Sequence, residues 1–281
     1  MTSVTPAGSR AAAAGGRASL RKRLRAVVRG VPLASVLSVV SGLALWAAVA
    51  QSGVVSSILL PRPGEMWHIA VTLLTDGYAG KSFWLSYATS MLRVTAGFGI
   101  AVVVGTIIGL AMGRSRLVAS LLYPLVEIYR PLPALAYYSL LVMMLGTGEA
   151  SKITVLTLGG LPPVILAVRD GAAAVRRERI EGVRSLGLNG WQVLVRVIFP
   201  SCLPEMLVGA RIAFGLSFTT LVAAEMIAAT SGLGWMTYQA SQYAESGVVI
   251  VGLIMMGFTG IAVDVLFRWL QAWLVPWVGK A

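Results

Sequence analysis

The chain has 281 residues, of which 57% are hydrophobic and only 12% are charged. A soluble domain of this size carries about a quarter charged residues, so the composition excludes an ordinary soluble fold and requires lipid around the chain. The net charge of +12 falls between apolar runs and forms no patch interleaved with aromatic residues, which argues against nucleic acid as a partner.

The first 30 residues are rich in Ala, Gly, Ser and Arg and end in the basic run RKRLRAVVR. The apolar run that follows is long, and no small-residue cleavage site of the A-x-A type stands out after it. We therefore predict a disordered basic tail over 1–30, in the cytoplasm, and one transmembrane domain over 31–281 that begins with an uncleaved span.

The remaining chain predicts an all-α membrane protein with six transmembrane helices. A bilayer core of about 30 Å needs about 20 apolar residues in a helix, and the sequence has no alternation at period two that would favour strands. The six predicted spans cover about 32–50, 84–112, 117–145, 153–168, 206–229 and 248–275.

The loop charges predict the orientation of these spans. Of the 23 Lys and Arg residues, 17 lie in the tail, in the loops after the second and fourth spans and at the C-terminal end. Only Arg62, Lys81 and Lys152 lie in loops on the other side. Because basic loops stay in the cytoplasm, both termini and the segment 169–205 are predicted to be cytoplasmic.

The second span contains small residues at every fourth position: Gly97, Ala101, Gly105, Gly109 and Gly113. Such a stripe lets another helix approach closely. It serves either packing within the chain, which we favour, or a dimer seam.

A polar segment over 170–205 separates the fourth and fifth predicted spans. Two glycines within SLGLNG (185–190) predict a break between two short cytoplasmic helices. The second of these, 191–199, has Trp191, Leu194, Val195 and Ile198 on one side, and Pro200 follows it. Such a segment either connects two spans or presents a surface to a partner.

The spacing of this segment resembles the cytoplasmic signature of ABC importer permeases, E-A-A-x3-G-x9-I-x-L-P. Glu181, Gly187 and Pro200 match strictly, and Gly182, Val183, Val197 and Phe199 occupy the relaxed positions. The stretches 58–67, 128–152 and 220–236 resemble permeases of the taurine, sulfonate and nitrate type, and 220–236 is most similar to taurine importers. The resemblance covers about 33–277.

The resemblance implies a permease subunit that is not itself an enzyme, binds no cofactor and works with two ATP-binding subunits that hold ATP and Mg²⁺. It further implies a homodimer in the inner membrane and an external solute-binding protein, for which the loops 51–82 and 230–246 are the expected docking surfaces. The coupling to the ATPase is carried over to 178–190, with these residues: Glu178, Glu181, Gly182, Val183, Ser185, Leu186, Gly187 and Leu188. Val197, Phe199 and Pro200 mark the end of the coupling segment.

The sequence gives little support for a disulfide, a metal cluster or a phosphate-binding loop. Cys202 and His68 are the only residues of their types, which excludes an internal disulfide and a Cys- or His-based metal cluster. The stretch GYAGKS (77–82) ends like a phosphate-binding loop, but Thr75 stands where that loop requires its first glycine.

Ionisable residues within the predicted spans are the candidates for a translocation path or gate. Glu127 and Arg130 are three apart and can pair on one helix face, and Glu225 interrupts the fifth span. Structural pairing within the bundle is the alternative for all three. Taurine is the favoured substrate, and alkanesulfonate, nitrate and bicarbonate are alternatives. An ion-driven secondary transporter that uses Glu225 or Asp264 as a proton relay is the competing class.

Overall fold

The computed structural model describes residues 33–277, with side chains from residue 37. The chain forms two compact units, Met1–Pro63 and Gly64–Ala281. The predicted tail over 1–30 lies outside the described residues. Within 33–277 the regular structure is helical, and one isolated bridge joins Tyr78 and Lys81. The all-α prediction is therefore confirmed.

In the first unit, the described part contains helix α1, Leu33–Gln51. Its apolar side chains are exposed all round the helix, as at Leu37, Val40 and Leu45. A helix that is apolar on every side suits lipid or a protein core rather than water. α1 corresponds to the predicted first span.

The second unit contains the remaining helices, and α2 begins at Pro63. In chain order they are α2 (Pro63–Asp76), α3 (Phe83–Arg114), α4 (Arg116–Tyr129), α5 (Ala134–Leu145), α6 (Glu149–Ala173), α7 (Arg177–Ser185), α8 (Gly190–Val193), a π-helical turn (Leu194–Ile198), α9 (Phe199–Ala228), α10 (Leu233–Gln242) and α11 (Ser246–Leu274).

Four helical segments in the described chain are long and apolar enough to cross a membrane: α3, α6, the continuous run Gly190–Ala228, and α11. The pair α4–α5 adds a fifth if it counts as one span. The part of α1 with described side chains, Leu37–Gln51, is shorter than a span requires. Six spans therefore remain a prediction.

The predicted third span, 117–145, is not one helix. α4 and α5 meet at a bend of 99°, which contains Pro131 and Pro133. Proline has no amide hydrogen for the helical ladder, and its ring clashes with the preceding turn, so the two prolines account for the break at this bend. The adjacent prolines Pro162 and Pro163 lie inside α6 without ending it.

The stripe of small residues on α3 packs against α6 within the chain. A Cβ added at Gly97 would lie 2.5 Å from the Cβ of Leu156, and one at Gly109 would lie 2.7 Å from the carbonyl oxygen of Ile165. The prediction of intrachain packing is confirmed for these positions. Since contacts advance along both helices together, α3 and α6 run parallel.

α9 packs antiparallel to α6 and completes the centre of the bundle. Ser217 of α9 donates a hydrogen bond to the carbonyl of Leu156 at 3.0 Å, and Gly171 near the end of α6 meets Cys202 near the start of α9. Because α3 and α6 are parallel, the bent pair α4–α5 must return the chain along the bundle. We call the end where α3 and α6 begin the Glu225 end, and the opposite end the α7 end.

The prediction of two short helices in 170–205 is half right. α7 is one of them, but α8 continues through the π-helical turn into α9 without a break. Pro200 stands in the first turn of α9 and cannot donate to the ladder. The wider register of the π-turn just before it lets the helix pass this proline.

Candidate functional site

α7 is fixed to the bundle by one apolar face. Ile180 of α7 is buried in a cluster with Val193, Ile198 and Cys202, and Val183 packs against the same cluster. Apolar side chains that leave water together hold such a short helix where its own propensity would not. α7 therefore has one anchored face, which packs on the bundle, and one exposed face.

The signature glycine ends α7. Gly187 has a φ of +89°, a conformation that side chains with a Cβ rarely adopt. Its amide donates to the carbonyl of Arg184 at 2.9 Å, and the amide of Leu188 donates to the carbonyl of Val183 at 3.3 Å. These two bonds form a Schellman motif, and they explain why the signature requires glycine at this position.

A capping box starts the next helix immediately. The Asn189 side chain accepts a hydrogen bond from the amide of Gln192 at 2.9 Å, and the Gln192 side chain accepts one from the amide of Asn189 at 3.0 Å. Both groups would otherwise lack partners at a helix start. The break between α7 and α8 is thus a defined turn of four residues.

Most of the predicted coupling residues are on the surface. Six of the eight are exposed, and five of these six are Glu178, Glu181, Ser185, Leu186 and Gly187. Leu186 is 78% exposed at the tip of the turn. Gly182 is also exposed, while Val183 and Leu188 are half-buried.

The predicted end of the segment has a different role. Val197 lies in the π-turn, and Phe199 and Pro200 lie in the first turn of α9, all half-buried. On the side of this helix that was predicted to be apolar, Ile198 is buried but Trp191 is 72% exposed. We call this N-terminal end of the long helix, which contains Val197, Ile198, Phe199 and Pro200, the base of α9.

At the Glu225 end, Glu225 is completely buried and fully paired. Ser90 donates to both of its carboxylate oxygens at 2.8 and 2.9 Å, and Arg93 Nη1 donates to Oε1 at 2.8 Å. The amide of Gly234 donates to Oε2 at 2.8 Å. Buried charges are stable only when paired and hydrogen-bonded in this way.

Arg93 connects Glu225 to a second carboxylate. Its Nε and Nη2 atoms donate to the two oxygens of Glu149 at 2.6 and 2.7 Å, a bidentate pair. Lys152 Nζ lies 3.5 Å from Glu149 Oε1. The two carboxylates, Glu225 and Glu149, thus balance the charges of Arg93 and Lys152. We call these four residues, with Ser90, the Glu225 cluster.

The Glu225 cluster also fixes the loop after α9. Arg93 donates to the carbonyl of Ser231 at 2.6 Å, and the amide of Leu233 donates to Ser90 at 2.8 Å. A Cβ at Gly232 would overlap the Glu225 carboxylate. The loop can follow this carboxylate so closely only because position 232 has no side chain.

The other predicted path residues lie elsewhere. Glu127 and Arg130 pair with each other at 3.6 Å beside the bend between α4 and α5, and both side chains are partly exposed. Asp264 of α11 pairs with Arg211 and Arg268. The structure does not bring the Glu127–Arg130 pair together with Glu225.

The named candidates for a path or gate did not include Arg93, Ser90 or Glu149, although Arg93 lies within the second predicted span. A signal for the first was present, since Arg93 and Glu225 are both ionisable and both lie within about three turns of the same end of antiparallel helices. Glu149 gave no such signal, because it occupies the first position of its helix, where an acid is common for its favourable interaction with the helix dipole.

The segment GYAGKS is engaged in local packing. Lys81 donates to the carbonyl of Thr230 and lies 4.5 Å above the ring of Trp235. Burial and a hydrogen bond with Glu245 raise the pKa of Tyr78 to about 12. Among the described residues, no group of three His, Cys, Asp or Glu could hold a metal ion.

Comparison with known families identifies the bundle. The family model described as "Binding-protein-dependent transport system inner membrane component" matches residues 101–280, more than half of the chain. The chain belongs to this family of ABC importer permeases. The resemblance seen in the sequence is therefore confirmed, and the family is one of transport permeases rather than enzymes.

This ABC importer permease matches curated relatives over most of its own length and most of theirs. The chain is 38% identical over 239 residues to the taurine transport system permease protein TauC of Escherichia coli K12, covering 85% of this chain and 87% of TauC. It is 33% identical to the putative aliphatic sulfonates transport permease protein SsuC of the same organism, covering 83% and 88%. It is 29% identical to the nitrate import permease protein NrtB of Synechocystis, covering 77% and 81%.

A solved structure shares the fold. An inward-facing form of the MetNI methionine ABC transporter contains a chain that matches with a TM-score of 0.50 and 20% identity, covering 64% of this chain and 91% of that one. At this identity the likeness concerns the fold alone.

Proposed function

We propose that this ABC importer permease carries taurine or a related small sulfonate across the inner membrane, and that α7 couples it to a separate ATPase. Similarity to TauC over 85% of the chain supports the substrate class. Similarity to SsuC and NrtB makes alkanesulfonates and nitrate the nearest alternatives, followed by bicarbonate.

The geometry of α7 supports the coupling role. Its anchored face packs on residues at the base of α9, and its opposite face with the turn at Leu186 is exposed. Packed interfaces move as units rather than deform. A force applied to the exposed face of α7 is therefore passed to α9.

The complete importer in this proposal contains two copies of the permease, two ATP-binding subunits and an external solute-binding protein. Both permease termini and the α7 end face the cytoplasm, and the Glu225 end faces outward. The loop 229–234, held by the Glu225 cluster, supplies a firm surface for the binding protein, as expected for the region 230–246.

Uptake by the reconstituted complex tests the substrate. Labelled taurine is supplied with its binding protein to proteoliposomes containing ATP, and unlabelled alkanesulfonate, nitrate or bicarbonate is added as competitor. We expect ATP-dependent taurine uptake that alkanesulfonates reduce more than nitrate does. Uptake that ignores ATP and disappears with the proton gradient contradicts the proposal and selects the ion-driven alternative.

Two substitutions that change the charge of α7 or of its turn test the coupling. Glu181→Lys and Leu186→Asp each alter the exposed surface of α7 or its turn, and both are expected to abolish co-purification of the ATPase and transport. Asp76→Lys, an exposed reversal at the Glu225 end, is the matched control and should retain the ATPase. Retention of the ATPase by both α7 variants would refute the docking role while leaving the substrate proposal intact.

The ion-driven alternative requires a carboxylate that exchanges protons during transport. Glu225 accepts hydrogen bonds from two side chains and one backbone amide, and Asp264 is held between two arginines. Neither carboxylate is unpaired, and this favours the ATP-driven importer.

A further inference from the structure

A basic cavity lies at the α7 end of the bundle. It has a volume of about 680 Å³ and lies between the end of α3, the start of α4, the end of α6 and one face of α7. Its charged lining consists of five arginines and one acid: Arg114, Arg116, Arg169, Arg177, Arg184 and Glu181. The volume falls in the range of small-ligand sites.

Most of the arginines of this cavity have no acidic partner among the described residues. Arg169 pairs with Asp170 at 3.4 Å and lies 4.3 Å from the ring of Tyr123. The other four arginines make no ion pair within the described part of the chain. Several like charges around one hollow repel one another, and an anion bound among them removes that repulsion.

The chemistry of the lining selects an oxyanion. The guanidinium group presents a planar fork of donors that matches two oxygens of a phosphate or sulfonate. The first residues of α4 and α7, Arg116 and Arg177, also contribute the positive ends of two helix dipoles. The ends of α3 and α6 contribute the opposite sign, so the arginines provide the net attraction.

The surroundings of the cavity favour a lipid as the source of that oxyanion. From Arg116 at its rim, α4 continues with Leu117, Leu121, Leu125 and Ile128, each at least 61% exposed. These positions recur every three or four residues and form one apolar stripe along the helix. A phosphate in the cavity with an acyl chain along this stripe satisfies both surfaces at once.

We propose that this cavity binds the phosphate of an anionic phospholipid headgroup, with an acyl chain along the apolar stripe of α4. Basic hollows between transmembrane helices at the cytoplasmic surface have the charge and position for such headgroups. The proposal is tested separately from the coupling and substrate proposals, because its test alters Arg177 and Arg184, which the coupling test leaves intact, and needs no transport. Glu181 borders both the cavity and the exposed surface of α7.

Helix α7 supplies a matched pair of variants for the test. Arg177→Gln/Arg184→Gln removes two charges from the cavity, whereas Arg176→Gln/Arg179→Gln removes two exposed charges beside it that do not line the cavity. The full-length chain is placed in nanodiscs of phosphatidylcholine with a minor fraction of phosphatidylglycerol. Lipids retained after gentle delipidation are counted by native mass spectrometry.

We expect the wild type to retain phosphatidylglycerol over phosphatidylcholine. The cavity variant should lower that retention about ten-fold, and the control variant should leave it unchanged. Equal losses in both variants, or no preference in the wild type, overturn the proposal. In a second arm, excess inorganic phosphate or taurine is added: retention of the lipid supports the lipid source, and its displacement assigns the cavity to a soluble anion and overturns it.

Discussion

The two ends of the bundle treat charge in opposite ways. At the Glu225 end, two acids and two bases are brought together, and Glu225 and Arg93 are almost completely buried. At the α7 end, five arginines surround an open cavity with one acid in its wall. Among the described residues, the Glu225 cluster balances its own charges, and the lining of the cavity at the α7 end does not.

This difference in charge pairing separates residues with a structural role from residues that are available to bind partners. A buried pair must be satisfied within the fold, since an unpaired charge there costs several kcal/mol. Exposed charges carry no such requirement and remain available to other molecules. The Glu225 cluster is therefore a scaffold that holds the loop 229–234 in place for the proposed binding protein, and the α7 end is the surface on which a lipid and the ATPase are expected.

The largest effect is predicted at Arg93. Arg93→Met leaves Glu225 buried without its cation and should lower the free energy of unfolding by about 3 to 5 kcal/mol. Unfolding of the purified protein in mixed micelles with increasing SDS measures the loss. Arg176→Met, an exposed arginine at the α7 end, is the control and should change stability by less than about 0.5 kcal/mol.

A double variant sharpens this prediction. Arg93→Met/Glu225→Met removes both charges, so it should be more stable than Arg93→Met alone despite carrying one more substitution. If the losses of the two single variants simply add, the two charges do not depend on each other and the contrast between the two ends fails.

An intermediate effect is predicted at the seam between α3 and α6, which joins the two ends. Gly109→Ala places a methyl group 2.7 Å from a backbone carbonyl oxygen that cannot move aside, and should cost about 1 to 3 kcal/mol. Gly99→Ala, on the same helix with nothing within 4 Å, should be neutral or stabilising because alanine favours the helix. The same unfolding measurement distinguishes them, and equal effects would contradict the packing.

The smallest effect is predicted at the turn between α7 and α8. Asn189→Ala removes the capping box and should destabilise the start of α8 by about 1 kcal/mol. Hydrogen exchange should become faster at the amide of Gln192, which loses its acceptor. Asn189→Ser retains a capping oxygen and should exchange like the wild type; faster exchange there too would contradict the claim that a capping oxygen at position 189 protects this amide.

The sequence predicted the features that depend on local pattern. Apolar length revealed the long helices, and four-residue spacing revealed the close seam of α3, because both follow from helix geometry alone. The signature spacing located Gly187, whose left-handed backbone and two capping bonds explain the requirement for glycine. Each of these features depends only on residues within one continuous segment of the chain.

The missed features depend on contacts between distant segments or on competition between local rules. Arg93, Glu149 and Ser231 come from three segments, and only the antiparallel packing of α9 brings Glu225 to them. Pro131 and Pro133 lie where α4 ends and α5 begins, whereas Pro162, Pro163, Pro200 and Pro204 lie within or at the start of continuous helices. Sequence alone does not say which rule prevails at each proline.

The unbroken passage from α8 through the π-turn into α9 has a mechanical consequence. The run Gly190–Ala228 contains 39 residues, which at 1.5 Å per residue makes a rod of about 58 Å. Its foot begins beside the turn at Gly187, and its far tip carries Glu225. Between the foot and the tip, the π-turn and Pro204 are the places where this helix bends most readily.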